Sequence, residues 1–206
     1  AVIAREALFA RLEEPPGRSV VWISGPPGSG KTTLASSYVD TRRIRCVWYQ
    51  MDADDADPAS FFYYLTHAAQ KLRGARAREM PTFTPQHSDD IASFARNFFR
   101  QLFARATPPF ALVLDNLHAV PPESAVHTAL EAGFAQVPKE CCIIVTSRSE
   151  PPGALARLRG SGQMACVSGV ELAIGPDEIV AVAAARGQSV SAEAAAKLYE
   201  RTQGWA

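Results

Sequence analysis

The sequence predicts an α/β domain built on a parallel sheet, and three observations carry that expectation. Five short apolar runs alternate with segments of 3.6-residue periodicity over most of the chain. The runs at 19–24, 110–115 and 141–146 are almost continuously hydrophobic, as strands covered on both faces by helices must be. The first run leads directly into a glycine-rich loop and then a helical segment. After about residue 170 the strand pattern stops and only helical patterns follow. Residues 1–170 therefore read as the α/β domain and 171–206 as the start of a helical subdomain.

Taken in order, the strand candidates are 19–24, 46–51, 110–115, 141–146 and 163–168. A helix over Thr32–Asp40 follows the first loop. Residues 58–73 place Phe61, Leu65, Ala68 and Leu72 on one face, with Asp57 as N-cap and Pro58 in the first turn. Residues 89–105 do the same with Ile91, Phe94, Phe98 and Leu102; Ser88 suits the cap, and Asp89 and Asp90 suit the positive end of the helix dipole. Phe62, Phe99 and Phe103 join these as core residues. The stretch 74–87, holding Pro81 and Pro85, breaks the pattern and reads as a surface connection. Segments 123–136 and 153–159 give two more helices. Pro176–Arg186 and Ala192–Thr202 are alanine-rich helices, the second capped by Ser191 and ended by Gly204.

Composition narrows the function classes. A chain of 206 residues that is 47% hydrophobic buries a core without disulfide staples. Its 21 basic and 21 acidic side chains cancel, which argues against a broad basic face for nucleic acid or anionic lipid. The four cysteines form no C-x-x-C pair, so a reduced cytoplasmic setting is expected and a zinc site is not. The four histidines show no ligand spacing, although His118 sits just beyond the third strand. No apolar run approaches the ~18 residues of a membrane span. Starting at Ala1 and ending at Gly204-Trp205-Ala206, the chain reads as a segment of a longer protein.

The most specific feature is Gly25-Pro26-Pro27-Gly28-Ser29-Gly30-Lys31-Thr32, which fits G-x-x-x-x-G-K-[ST] at every fixed position. Glycines let backbone N–H groups turn inward around a phosphate, and the following helix points its positive end at the anion. In such a loop Lys31 reaches the β- and γ-phosphates, the Thr32 hydroxyl ligates Mg²⁺, and Thr33 contacts the α-phosphate. Lys31 is one of only four lysines, which makes an accidental match improbable. The expected ligands are ATP or ADP with Mg²⁺.

Such a loop needs an acid at the tip of a neighbouring strand. Phe110–Asp115 supplies it in Asp115, with the strand at 46–51 falling between it and the loop in sequence. This spacing predicts that the first two strands are not neighbours, giving the parallel order 5-1-4-3-2 of the additional-strand P-loop ATPases. The position after Asp115, where efficient ATPases of that division carry a glutamate, holds Asn116. An amide orients water but takes no proton, so slow hydrolysis is the expectation. Asp52, Asp54 and Asp55 are alternative carboxylates, though a solvated loop capping the next helix is the preferred reading. The fourth strand ends in Thr146-Ser147-Arg148, at the carboxyl ends of the strands where ligands bind, so Arg148 is the candidate γ-phosphate sensor.

Together these segments resemble the nucleotide-binding domain of the signal-transduction ATPases with numerous domains (STAND), and within them the MalT/LuxR-type large transcriptional regulators. The matching residues are Gly25–Ala35, Val47–Asp52 with Pro58–Leu65, and Leu112–Asn116. Thr146–Arg148, Pro151-Pro152, Leu155–Arg159 and Thr202–Ala206 complete the set. The resemblance implies that ATP against ADP sets an active or resting state, with Arg148 sensing the γ-phosphate. It also implies a helical lid over the nucleotide, the Gly204-Trp205 turn near the base, the Arg5–Leu12 helix near the adenine, and self-association or contact with other domains of the parent chain when ATP is bound. Many relatives carry two acids where this chain has Asp115-Asn116.

A regulatory ATP switch is thus the leading expectation. A small-molecule kinase is the first alternative, with Arg76 and Arg78 near a possible lid, but nothing marks an acceptor site. A DNA-dependent ATPase is the second, opposed by the neutral charge and the missing glutamate.

Overall fold

The computed structural model describes residues 5–14, 18–70, 72 and 79–205. Arg76 and Arg78 lie outside them. In chain order the elements are α1 (Glu6–Glu13), β1 (Val20–Ser24), α2 (Lys31–Thr41), β2 (Arg45–Gln50), α3 (Pro58–Ala69), α4 (Ile91–Phe103) and β3 (Phe110–Asp115). They continue with α5 (Val126–Phe134), β4 (Cys141–Ser147), α6 (Ala156–Gly160), β5 (Met164–Val167), α7 (Gly169–Leu172), α8 (Pro176–Ala185) and α9 (Ala192–Thr202).

All strand pairs are parallel, and the sheet runs β2-β3-β4-β1-β5. This is the expected 5-1-4-3-2 order read from the other edge. The central strands β1 and β3 are buried at every residue, whereas the edge strand β2 alternates toward solvent. That difference explains why β2 is the least apolar of the runs.

Strand alternation divides the core into two layers. On one face Trp22, Val47, Leu112, Leu114, Ile143 and Val145 meet α3, α4 and α5. Phe62, Phe94, Phe98 and Phe99 fill that layer, with Phe62 at 4.8 Å centroid distance from both Phe94 and Phe98. On the other face Val21, Ile23, Ala111, Val113 and Ile144 meet Phe9 and Leu12 of α1 and Leu34, Ala35 and Tyr38 of α2.

Local chemistry sets the helix ends. Asp57 caps α3 through the Ser60 N–H at 3.0 Å, and Ser191 caps α9 through the Ala194 N–H at 3.2 Å, both as expected. The α4 cap is a correction: Asp90, not Ser88, accepts the Ser93 N–H at 3.0 Å. The Thr84 N–H donates to His87 Nδ1 at 3.0 Å and locks Pro85–Asp90 into a 3₁₀ turn, so the α-helix starts only at Ile91. The stretch expected as 123–136 is shorter, because Ser124 accepts the Val126 N–H and donates to Ala56 O, holding the entry in a turn. Helix α3 ends at Ala69, four residues before the expected end.

Beyond Val167 the described elements are all helical. Helices α8 and α9 form a hairpin tied back at its base. Arg5 donates to Glu178 at 2.7 and 3.0 Å and to the carbonyls of Leu172 and Ala173 at 2.7 and 2.9 Å. The Ile174 N–H donates to Gly204 O at 2.9 Å, so the Gly204-Trp205 turn docks on the linker that starts the hairpin. Among the described residues, no helix is long and apolar enough to cross a membrane.

Core packing between α4 and α5 is tight enough to test. A Cβ on Gly133 would sit 2.8 Å from Phe99 Cγ, whereas one on Gly153 meets nothing within 4 Å. Gly133→Ala should destabilise the protein by about 1–3 kcal/mol despite alanine's better helix propensity. Gly153→Ala should stay within about 0.5 kcal/mol of wild type by urea denaturation.

Candidate functional site

The loop between β1 and α2 is shaped by its glycines. Gly28 and Gly30 have φ of 78° and 84°, a region that side-chain-bearing residues rarely enter, and Gly30 serves as the N-cap of α2. A close approach fixes the base of the loop. A Cβ on Gly169, at the start of α7, would lie 3.0 Å from Pro26 Cδ and 3.2 Å from Gly25 Cα. The first helix after the sheet is thereby packed directly on the loop.

Lys31 opens α2 and is buried, with its Nζ donating to Gly25 O and Pro26 O at 2.8 Å each. Burial pulls its pKa down and the Arg148 charge pulls it further, against the opposing Asp115 carboxylate. A buried ammonium held by loop carbonyls favours any anion brought to the loop.

Thr32, one residue on, donates to both Asp115 oxygens, at 3.0 and 3.3 Å. Asp115 ends β3 and is 4% exposed. Its Oδ1 also accepts the Thr146 hydroxyl from the end of β4. The Thr146 oxygen in turn accepts the Asn116 N–H at 2.9 Å. Three segments distant in sequence are thus joined through one carboxylate.

Asn116 has φ 66° and ψ 35°, a left-handed conformation that asparagine tolerates better than most residues. The asparagine at this position therefore suits a backbone requirement. The described hydrogen bonds link none of Asp52, Asp54 and Asp55 to Thr32 or to the Asp115 carboxylate. Asp52 caps a turn by accepting the Asp54 N–H at 2.9 Å. Asp55 corrects the solvated-loop expectation: it is 2% exposed and accepts from the Tyr49 hydroxyl and the Asp52 N–H.

Arg148 follows β4, is exposed, and makes no ion pair among the described residues. Its charge is nevertheless felt by both Lys31 and His118. The carboxyl ends of β1, β3 and β4 therefore bring Lys31, Thr32, Asp115, Asn116 and Arg148 to the same end of the sheet, with His118 beside them. Thr33 is exposed on the first turn of α2.

The donor set fits a magnesium nucleotide. Thr32 and Asp115 offer hard oxygen ligands of the kind Mg²⁺ prefers. The loop offers backbone N–H groups, and Ser29 Oγ is buried with no partner. Neither Gly28 nor Gly30 has an atom within 4 Å of where a Cβ would stand, so that side of the loop is open.

Two contributors were not assigned from sequence. Thr146 is fully buried, and its signal was a polar residue closing an otherwise apolar strand. Glu150 accepts the Ser24 hydroxyl at 2.7 Å, supporting the strand that feeds the loop; no local pattern marks it.

His118 provides a test of this geometry. Burial first, then Arg148 and Lys31, hold its imidazole below the usual 6.5. The unfolded chain thus takes up the proton more readily, and His118 subtracts stability as pH falls below 6.5. Arg148→Ala should raise the His118 pKa toward 6.5 in an NMR titration; an unchanged value would show that the Arg148 charge does not act on His118.

Comparison with known proteins agrees with this architecture. Residues 2–148, more than two thirds of the chain, match the family described as Nephrocystin 3, N-terminal. The HTH-type transcriptional regulator MalT of Serratia proteamaculans is 26% identical over 208 residues, covering 99% of this chain and 22% of that protein. MalT of Yersinia enterocolitica is 28% identical over 214 residues, with the same coverage. The chain thus spans about a fifth of the length of these curated relatives. Among solved structures, a STAND protein with a tetratricopeptide repeat sensor from Pyrococcus horikoshii superposes with TM-score 0.66 at 19% identity, over 98% of this chain and 28% of that one. With its parallel sheet, its glycine-rich loop and its likeness to MalT and to a STAND ATPase, the chain belongs to the nephrocystin 3 N-terminal family and has the P-loop NTPase fold.

Proposed function

We propose that this chain is an ATP-binding regulatory switch, the nucleotide-binding part of a larger transcriptional regulator. The observation that carries the reading is the chain of hydrogen bonds from Thr32 through Asp115 to Thr146, beside the Lys31 ammonium. Gly25–Gly30 and Lys31 would cradle the phosphates, with Thr33 beside the α-phosphate. Thr32 and Asp115 would hold Mg²⁺, which when bound neutralises the charge between the β- and γ-phosphates. Arg148 would read the γ-phosphate in cis, and Asn116 would orient water without accepting its proton.

Hydrolysis would then be slow. The conformation would follow which nucleotide is bound, and ATP would favour self-association or contact with other domains of the parent protein. Residues 171–206 would form the start of a lid subdomain after a 1–170 nucleotide-binding domain. The packing of Gly169 on Gly25 supports that arrangement, because it couples the hairpin's base to the phosphate loop. The adenine would lie beside α1, whose Arg5 reaches the same linker. A cytoplasmic setting and the absence of direct nucleic-acid contact by this part belong to the same proposal.

The test uses two variants. Lys31→Ala should weaken Mg²⁺-ATP binding by about 100-fold, equivalent to about 2.7 kcal/mol, in calorimetry. Arg148→Ala should narrow the difference between ATP and ADP affinities and abolish ATP-induced assembly. If both affinities and assembly survive Arg148→Ala unchanged, the sensor role is wrong.

A further inference from the structure

The segment that carries Arg148 is held more firmly than Arg148 itself. Arg148 is exposed and has no ion pair among the described residues, so no charged partner fixes where its guanidinium stands. The chain on either side of it is pinned. Ser147 O accepts the Gly25 N–H at 3.2 Å, and Ser147 Oγ accepts the Ser149 N–H at 3.2 Å, drawing the chain into a bend. Ser149 O accepts the indole N–H of Trp22 at 3.0 Å. The Glu150 carboxylate accepts the Ser24 hydroxyl at 2.7 Å.

Three of these bonds start from Trp22, Ser24 and Gly25, the end of β1 and the first residue of the phosphate loop. Strand register explains the arrangement. β1 and β4 pair in parallel as far as Ser24 and Ser147, so Gly25 and Arg148 leave the sheet side by side. Trp22 and Ser24, two residues apart on one strand, project from the same face. A buried indole N–H needs an acceptor, and Trp22, at 2% exposed, finds it on the residue after Arg148. The Ser24 hydroxyl has one proton to give. Glu150 takes it at 2.7 Å, with Val167 O standing farther off at 3.4 Å.

We propose that Glu150 is a positioning residue for Arg148. By holding the bend after β4 against Ser24, it fixes the backbone from which the guanidinium reaches the γ-phosphate, and so sets the preference for ATP over ADP. This role rests on the reading of Arg148 as the γ-phosphate sensor. Glu150 is exposed, and without it Ser24 still has Val167 O as an acceptor, so its loss strands no buried donor. The Trp22 bond remains in its absence, so the effect is partial. Charge alone predicts the opposite sign, because removing an acid from this end of the sheet favours ATP, the more negative nucleotide.

The test compares Mg²⁺-ATP and Mg²⁺-ADP affinities by calorimetry. Glu150→Ala should narrow the ATP-to-ADP affinity ratio about fivefold, the scale of one hydrogen bond, with ADP affinity unchanged. Glu150→Gln keeps an acceptor for Ser24 and should hold the ratio at the wild-type value or above. Ser24→Ala removes the same bond from its other end and should narrow the ratio equally, which decides the matter if Glu150→Ala does not fold. Added to Arg148→Ala, Glu150→Ala should narrow the ratio no further. An unchanged or widened ratio in Glu150→Ala, equal narrowing in Glu150→Gln, or further narrowing in the double variant would each overturn the positioning role and leave the sensor role standing. If Arg148→Ala by itself leaves the ratio unchanged, the sensor reading falls and the positioning role falls with it.

Discussion

The Asp115 carboxylate is the joint on which the candidate site depends. It ends a fully buried strand, is nearly inaccessible itself, and is held by hydroxyls from two other segments, Thr32 on α2 and Thr146 on β4. A buried carboxylate is tolerable only when its oxygens are satisfied, and here the satisfying groups align the loop helix with two strand tips. The parallel order makes this possible. With β4 between β1 and β3, the ends of all three strands face the same side as the start of α2. Placing Thr32 or Thr146 elsewhere would leave a buried charge with too few partners.

The same logic extends to the helices after the sheet. Gly25 and Gly169 approach so closely that neither tolerates a side chain without displacement. The linker that follows is gripped from both sides, by Arg5 through the Leu172 and Ala173 carbonyls and by Gly204 through the Ile174 N–H. In the proposed reading, a change at the phosphate loop therefore has a short, packed route to the hairpin. Glu178 adds a charged bond from α8 to Arg5, which ties the amino-terminal helix to the same assembly.

Much of this was legible in the sequence, for identifiable reasons. Strands buried on both faces must be continuously apolar, so β1, β3 and β4 declare themselves. A phosphate loop needs glycine, lysine and a hydroxyl at fixed spacing, so Gly25–Thr32 does too. Asp57 and Ser191 cap their helices through contacts three residues away, which local pattern captures. What stayed hidden depends on contacts across the chain. Asp55 looks like one acid in a polar loop until Tyr49, from the adjoining strand, covers it. Thr146 gains its meaning only from Asp115, 31 residues earlier. Arg5 and Glu178 are 173 residues apart, and nothing near either one signals the other. Asn116 was legible as a missing acid, but its left-handed backbone was not.

The most direct test of the switch is to measure the nucleotide that co-purifies with the protein and its turnover with Mg²⁺. ADP or ATP should be retained near one per chain, with turnover far below the about 10 s⁻¹ of a median enzyme. Failure to bind either nucleotide, or turnover at ordinary enzymatic rates from the Asp115-Asn116 pair, would contradict it.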